Sequence, residues 1–135
     1  MKQINCYLTF DGNCREAMTF YAQALGTEAQ LMSFADMPHC PEGSADRIMH
    51  ARVAAGDGIL FASDSMPGQP PLVGTNFSVA IATETVEETD RFFAALSEGG
   101  TVTMPLQDMF WGAYFGMLKD KFGVQWMLNC EKSKA

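Results

Sequence analysis

The sequence has few cationic side chains, and no short segment gathers them. Nine Lys and Arg residues stand against 16 Asp and Glu residues, so the formal net charge is −7. A protein that binds nucleic acid or anionic lipid usually carries a basic patch that meets the phosphates. The composition therefore predicts no nucleic-acid partner.

Long apolar runs are also missing, and the first residues show no apolar signal region. No stretch reaches the roughly 20 apolar residues that a membrane-spanning helix requires, and Met1–Asn5 leads directly into a strand pattern. We therefore expect a cytoplasmic protein with no membrane partner.

The cysteines form no Cys-x-x-Cys pair, so their spacing favours neither a zinc knuckle nor a disulfide framework. We expect reduced thiols, and a buried structural thiol is the simplest role for the first and the last of them. The four are Cys6, Cys14, Cys40 and Cys130.

What the sequence does contain is one pattern that occurs twice. The segment 15–26 is echoed by 88–100, and each is a helix pattern that follows an alternating apolar strand and precedes further strands. Such an echo indicates two copies of one supersecondary unit, neither of which buries its apolar face alone. With 135 residues, of which 47% are hydrophobic, we expect a single domain with module one at about 1–66, a linker at about 65–75 and module two at about 76–130.

Each module is predicted to be a strand, a helix and about three strands. In module one the helix ends at Gly26, and Gly56-Asp57-Gly58 marks a hairpin between the last two strands. The long segment 35–47 is predicted to be a lid, a binding loop or a disordered excursion. The predicted strands of module one are Ile4–Phe10, Ala29–Phe34, Ile48–Ala54 and Ile59–Ser63.

In module two, Thr85-Val86-Glu87-Glu88 has the spacing of a capping box, in which two side chains satisfy free amides at a helix start. The helix is predicted to run to about Ser97. The predicted strands of module two are Phe77–Ala82, Thr101–Met104, Gly112–Lys119 and Val124–Asn129.

Several short motifs carry a family resemblance that covers nearly the whole chain. Tyr7–Cys14, Ile48–Ala51, Met104–Leu106, Phe110–Gly112 and Phe122–Met127 resemble the PhnB-like branch of the vicinal oxygen chelate superfamily, which includes glyoxalase I, extradiol dioxygenases and bleomycin-resistance proteins. The resemblance implies an α+β fold in which two tandem βαβββ modules form a cupped mixed sheet. It also implies a homodimer.

Members of this branch often carry the label of a 3-demethylubiquinone 3-methyltransferase-like domain. Methyl transfer from S-adenosylmethionine normally requires a glycine-rich strand-to-helix turn in a parallel sheet, whereas the glycine-rich turns here are predicted to join antiparallel strands. The residues therefore do not support that activity.

The resemblance also implies positions for a divalent metal, and the residues at those positions are poor ligands. They are Asn5 or Cys6, Ser78 or Phe77, the group Phe61–Ser63, and Met127. A zinc, nickel or iron site needs at least three imidazole, thiolate or carboxylate ligands, so we expect no metal and no cofactor. Two alternative metal sites remain open. One is a displaced site that uses His50, Asp64 or Cys6, and the other is a loop cluster of Asp36, His39 and Cys40.

Strand three supplies the clearest polar pattern. Alternation places Met49, Ala51 and Val53 on one face and Ile48, His50 and Arg52 on the other. His50 is predicted either to carry a proton or bind a ligand, or to be a hydrogen-bonded structural histidine. Arg52 is predicted to pair with an anionic ligand or with a nearby acid.

Four more residues complete the predicted ligand-binding set. Gln125 and Met127 share a face of the last strand opposite the core residue Trp126, Trp111 lies in an aromatic segment that suits a pocket wall or the core, and Tyr7 is on the polar face of strand one. Ten methionines suggest an adaptable apolar cavity or simple core filling.

Three functions are compatible with these residues. The first is a metal-independent protein that binds a small, partly apolar molecule. The second is a lyase, isomerase or dioxygenase with a relocated metal. The third is a dimeric interaction module without a ligand.

Overall fold

The computed structural model describes residues 1–132, and its first compact unit is Met1–Leu72. The elements of this unit are β1 (Cys6–Phe10), α1 (Cys14–Ala24), β2 (Ala29–Ser33), β3 (Ile48–Ala55) and β4 (Gly58–Asp64). The strands form one sheet in the order β1-β4-β3-β2, in which β1 is parallel to β4 and the other pairs are antiparallel. The helix α1 packs against β3, β2 and β4.

The second compact unit begins at Val73, within the predicted linker. Its sheet has the order β5-β8-β7-β6, with β5 parallel to β8, so it repeats the topology of the first unit strand for strand. The predicted duplication of a βαβββ unit, and with it the α+β fold, is confirmed. The elements are β5 (Val79–Thr83), α2 (Val86–Ser97), β6 (Thr101–Asp108), β7 (Ala113–Lys119) and β8 (Gln125–Glu131).

Helix α1 is capped by a side-chain carboxylate at its start and followed by a left-handed glycine at its end. The N-cap residue is Asn13, but its side chain makes no capping bond. The carboxylate of Asp64 takes that role, because its Oδ1 accepts from the amide of Cys14 at 3.0 Å. At the other end Gly26 has a φ of +73°, which confirms the predicted left-handed stop.

Helix α2 begins with the predicted capping residue. The hydroxyl of Thr85 accepts from the amide of Glu88 at 3.0 Å. The reciprocal bond of the capping box differs from the prediction, since Oε1 of Glu88 accepts from the amide of Glu84 at 3.3 Å, one residue before the cap.

All eight strands differ from their predicted bounds by at least one residue, and β6 differs most. β1 begins at Cys6 rather than Ile4, and β6 continues past Met104 to Asp108. Pro105, which has no amide to donate, lies inside β6 because β6 is an edge strand with two register irregularities on either side of Met104.

A bulge changes the predicted face of β3 at its first residues. Ile48 pairs with Ser33 and His50 with Met32, so one extra residue stands in β3 between them. As a result Ile48 is fully buried with Ala51 and Val53, whereas Met49 is partly exposed. The prediction that Met49 shares the buried face is wrong for this reason.

Neither helix is a candidate for crossing a membrane. Within residues 1–132 no helix has the length and apolar character needed to span a bilayer.

Candidate functional site

The sheet of the first unit has a face opposite α1 that carries three neighbouring rings. Along β1 the side chains of Leu8 and Phe10 are buried, whereas Tyr7 is 52% exposed, as alternation requires. The ring centroids of Tyr7 and Phe61 are 6.3 Å apart with planes at 26°, and those of His50 and Phe61 are 5.5 Å apart. Tyr7 and His50 are 6.3 Å apart, so all three rings form one cluster.

Register places a row of four residues across this sheet. Tyr7 pairs with Phe61, Phe61 with Arg52, and Arg52 with Gln30, one residue from each strand. Adjacent strands are about 4.8 Å apart. Along the row, the two aromatic residues are followed by the arginine and then by the glutamine. We call this surface, with His50, the ring face.

Arg52 has an unusual environment within the ring face. Its side chain is partly exposed, but its Nε is buried and has no hydrogen-bond partner in the part of the chain that the structure describes. The ion pairs within residues 1–132 are Arg47 with Asp11 and Lys132 with Asp108, and neither involves Arg52. The predicted pairing of Arg52 with an acidic side chain is therefore not present among these residues.

The second unit carries a different surface opposite α2. Met127 pairs with Met117, and Met117 pairs with Met104, so three thioethers form a row across β8, β7 and β6. All three are partly exposed, while Trp126 and Leu128, which alternate with Met127, are buried. We call this row, with Phe115, the methionine face.

Trp111 lies in the hairpin between β6 and β7. It is 53% exposed, and its ring is 6.0 Å from Phe115 and 5.2 Å from Phe110, both with edge-on geometry. Trp111 thus extends the aromatic part of the methionine face, and the alternative reading of Trp111 as a core residue is wrong because half of its surface is exposed.

Gln125 also lies on β8, and its amide is already engaged. Its Nε2 donates to the carbonyl of Phe77 at 2.7 Å, which ties β8 to the chain before β5. Of the six residues predicted to bind ligand, the structure therefore places Tyr7, His50 and Arg52 on the ring face and the other three in the second unit.

One residue at the implied metal positions and one alternative ligand are engaged with the backbone. Asn5 donates from Nδ2 to the carbonyl of Ile59 at 3.0 Å. Asp64, an alternative ligand, accepts from the amides of Gly12, Cys14 and Ile48 at 2.8 to 3.0 Å. Among residues 1–132 no three His, Cys, Asp or Glu side chains are grouped closely enough to hold a metal ion.

The loop 35–47 uses its candidate ligands locally. Oδ2 of Asp36 accepts from the amide and the hydroxyl of Ser33 at 3.3 Å, where the chain forms a short 3-10 turn at Phe34–Asp36. Cys40 lies 3.5 Å from the hydroxyl of the buried Ser44.

Two side chains have a strongly raised pKa. Burial, with a smaller contribution from the negative charge of Asp64, raises the pKa of the Cys14 thiol to about 12. The hydrogen bond from the Tyr114 hydroxyl to Asp90, 2.6 Å long, raises the pKa of Tyr114 to about 12. Both groups stay protonated at neutral pH, so neither supplies a nucleophile there.

Sequence reasoning considered Met117 only as one of several methionines that could line a cavity, and it assigned neither Phe61 nor Gln30 to a binding surface. Alternation along one strand assigns a face, but only the register between strands shows which residues stand side by side. The apolar pattern of β4, with Leu60 and Ala62 buried, was the one available signal that Phe61 faces the other way.

Comparison with known proteins gives consistent results over nearly the whole chain. A family model described as 3-demethylubiquinone-9 3-methyltransferase matches residues 2–129. The crystal structure of protein PA1353 from Pseudomonas aeruginosa is 45% identical, covers 98% of this chain and 100% of that one, and has a TM-score of 0.89. Protein YjdN of Escherichia coli K12 is 36% identical over an alignment of 141 positions that covers 95% of this chain and 95% of that protein.

Two further structures relate the fold to named groups. A Bacillus cereus structure described as a putative 3-demethylubiquinone-9 3-methyltransferase, PhnB protein, is 28% identical, covers 96% of this chain and 99% of its own, and has a TM-score of 0.77. A glyoxalase/bleomycin resistance protein from Albidiferax ferrireducens, 17% identical with 96% and 100% covered, has a TM-score of 0.63 and shares the fold.

Proposed function

Because this chain belongs to the 3-demethylubiquinone-9 3-methyltransferase family, the PhnB-like branch of the vicinal oxygen chelate superfamily, we propose that it binds a small, partly apolar molecule. The proposed binding surface is the ring face of the first sheet. Binding there requires no divalent metal, and we propose no catalytic step for it.

The observation that carries this proposal is the cluster of Tyr7, His50 and Phe61. Their centroids are 5.5 to 6.3 Å apart, and all three keep part of their surface exposed. Exposed aromatic groups in one patch are typical of binding surfaces, because a flat apolar ligand that covers them removes their surface from water. Stacking on such rings adds about 0.5–1.5 kcal/mol per pair beyond that burial.

Methyl transfer, which the family description names, is not part of the proposal. The ring face consists of aromatic rings, one cation and one amide, and none of these is the carboxylate that accepts from a ribose hydroxyl in nucleotide-binding folds.

A neutral flat probe tests the proposal. Isothermal titration of the protein with 2-naphthalenemethanol is expected to show binding, with and without EDTA, and Phe61→Ala is expected to weaken it about tenfold because it removes the central ring of the cluster. The matched control is Phe77→Ala, which removes a phenyl ring that is 52% exposed, the same exposed fraction as Tyr7, from the second unit.

The contradicting results are specific. The proposal is wrong if neither this probe nor an acid with the same ring system binds, if Phe61→Ala weakens binding no more than Phe77→Ala does, or if EDTA abolishes binding. Circular dichroism of both variants checks that the fold is retained.

A further inference from the structure

We propose that the ligand of the ring face carries an oxyanion, a carboxylate or phosphonate group attached to its flat apolar part, and that Arg52 binds this group. This inference rests on the proposed function and names the class of ligand, an aromatic acid.

The first argument is the position of Arg52 in the row. Its register partner on one side is Phe61, whose ring is stacked with Tyr7, and its partner on the other side is Gln30, which is exposed. A ring that lies over Phe61 and Tyr7 is therefore next to the strand that carries Arg52, whose backbone is one strand spacing, about 4.8 Å, from that of Phe61. A charged group attached directly to that ring reaches Arg52, and the amide of Gln30 lies on the far side as a second donor.

The second argument is the lack of a partner for the Arg52 guanidinium. Its Nε has no hydrogen-bond partner within residues 1–132, although the atom is buried. Because Nε is buried, the terminal amino groups of the guanidinium are the donors that a ligand oxygen reaches. The guanidinium matches an oxyanion well, because its fork donates two parallel hydrogen bonds.

The third argument is charge. The net charge of the chain is −7, and Arg52, like Arg15 and Arg91, makes no ion pair among residues 1–132. Unlike those two helix residues, Arg52 lies on the ring face. The two ion pairs in the described part of the chain use Arg47 and Lys132. The positive charge of Arg52 is therefore left to attract an anion from outside the chain, against a protein field that repels anions elsewhere.

The test compares three probes that share one ring system. Isothermal titration with 2-naphthoate, 2-naphthylphosphonate and 2-naphthalenemethanol is expected to show at least one acid binding about tenfold or more tightly than the alcohol. The two acids separate carboxylate from phosphonate chemistry, and a preference for either supports the proposal.

Variants of Arg52 then locate the preference. Arg52→Gln is expected to bind the alcohol as before and to lose the preference for the acid, whereas Arg52→Lys keeps the charge without the fork and retains part of it. The matched control is Arg15→Gln, which removes the same charge from the exposed side of α1 and is expected to keep the full preference.

The outcomes separate this inference from the proposed function. Equal affinity for the acids and the alcohol overturns the role of Arg52 and leaves the ring face as a neutral site. An acid preference that survives in Arg52→Gln also overturns it. If none of the three probes binds the unchanged protein, the proposed function itself fails. If circular dichroism shows that Arg52→Gln is unfolded, the Arg52→Lys variant is used instead. An acid preference in Arg52→Lys as large as in the unchanged protein then counts against the role of the guanidinium fork.

Discussion

Two buried carboxylates organise the turns of this protein. Asp64 accepts three backbone amides and so joins the start of α1 to the start of β3. Asp120 accepts from the amides of Phe122 and Val124 and from Nε1 of Trp126 at 2.8 to 3.0 Å. Each buried charge is thus satisfied by donors, which is the condition under which a carboxylate is tolerated in a core. Asp64 therefore has a structural role, whatever else it does.

The four thiols are expected to differ sharply in reactivity. Cys14 is fully buried, and burial together with Asp64 raises its pKa to about 12. Burial also raises the pKa of Cys6. Cys130 is buried, whereas Cys40 is exposed. Thiolate and access control the reaction, so Ellman's reagent at pH 8 is expected to modify one thiol rapidly in the native protein. Cys40→Ser is expected to remove that phase, and a fast phase that persists in this variant would contradict the assignment.

The raised pKa of Cys14 also gives a pH dependence of stability. The pKa of the Cys14 thiol is near its ordinary value of 9.0 in the unfolded chain and about 12 in the folded one. The contribution of this pKa difference to the free energy of unfolding is therefore fully present below pH 9. This contribution is lost as the pH rises from 9 towards 12. Denaturant unfolding of Cys14→Ala is accordingly expected to show a weaker loss of stability over that range than the unchanged protein shows.

At the scale of elements, the close packing of β7 depends on one glycine. A Cβ at Gly116 would lie 2.9 Å from Cδ2 of Leu106 and 2.9 Å from Cε2 of Phe93, a residue of α2. Because those contacts are too short, Gly116→Ala must move the side chains of Leu106 and Phe93, and the Cα of Leu106, 3.1 Å from the new Cβ, leaves little room for this. Overpacking of this kind costs about 1–3 kcal/mol.

Urea unfolding measures this cost. The matched control is Gly58→Ala, where the new Cβ would lie 3.6 Å from the carbonyl oxygen of Ala55, an ordinary contact. We expect the free energy of unfolding to fall by about 1–3 kcal/mol for Gly116→Ala and to change little for Gly58→Ala. Equal effects of the two substitutions would show that α2 does not approach β7 as closely as described.

Most element types were predictable from the sequence, because their signals are local. Gly26, Thr85 and the Gly56-Asp57-Gly58 turn act on neighbouring backbone, and each marks an element end within a residue or two of its observed place. The bulge in β3 and the passage of β6 through Pro105 were not predictable, since both depend on which strand lies alongside.

The candidate site shows the same division. His50 and Arg52 were assigned to one face by alternation, and their partly exposed side chains agree with that assignment. The neighbours that give Arg52 its chemistry, Phe61 and Gln30, come from other strands. A single sequence holds no record of that pairing, so the ring face emerged only with the register.

At the scale of the whole molecule, the two units share a topology and differ in surface chemistry. Both sheets have the same strand order and one parallel pair. The face opposite the helix holds rings and a guanidinium in the first unit, and the thioethers Met104, Met117 and Met127 in the second. The duplicated backbone thus presents one surface with fixed, directional partners and another that adapts its shape.

The family also leads to a prediction about assembly. Superfamily relatives commonly pair chains, and large apolar side chains such as Ile4, Leu72 and Val73 are 71 to 102% exposed in the single chain, which favours a covered surface. Light scattering after size exclusion is expected to give twice the chain mass of 14.8 kDa. A single-chain mass that does not change from micromolar to millimolar concentration would contradict the homodimer.

The central claim is that the ring face binds a flat, partly apolar molecule. The most direct measurement is a titration of isotope-labelled protein with 2-naphthalenemethanol, followed by nuclear magnetic resonance of the amides and aromatic side chains. The claim predicts the largest shifts at Tyr7, His50 and Phe61, with smaller ones at Leu8 and Ala62, whose side chains are buried on the opposite side of the sheet. Shifts that are largest in the second unit, or no saturable shift at these three rings, would contradict it.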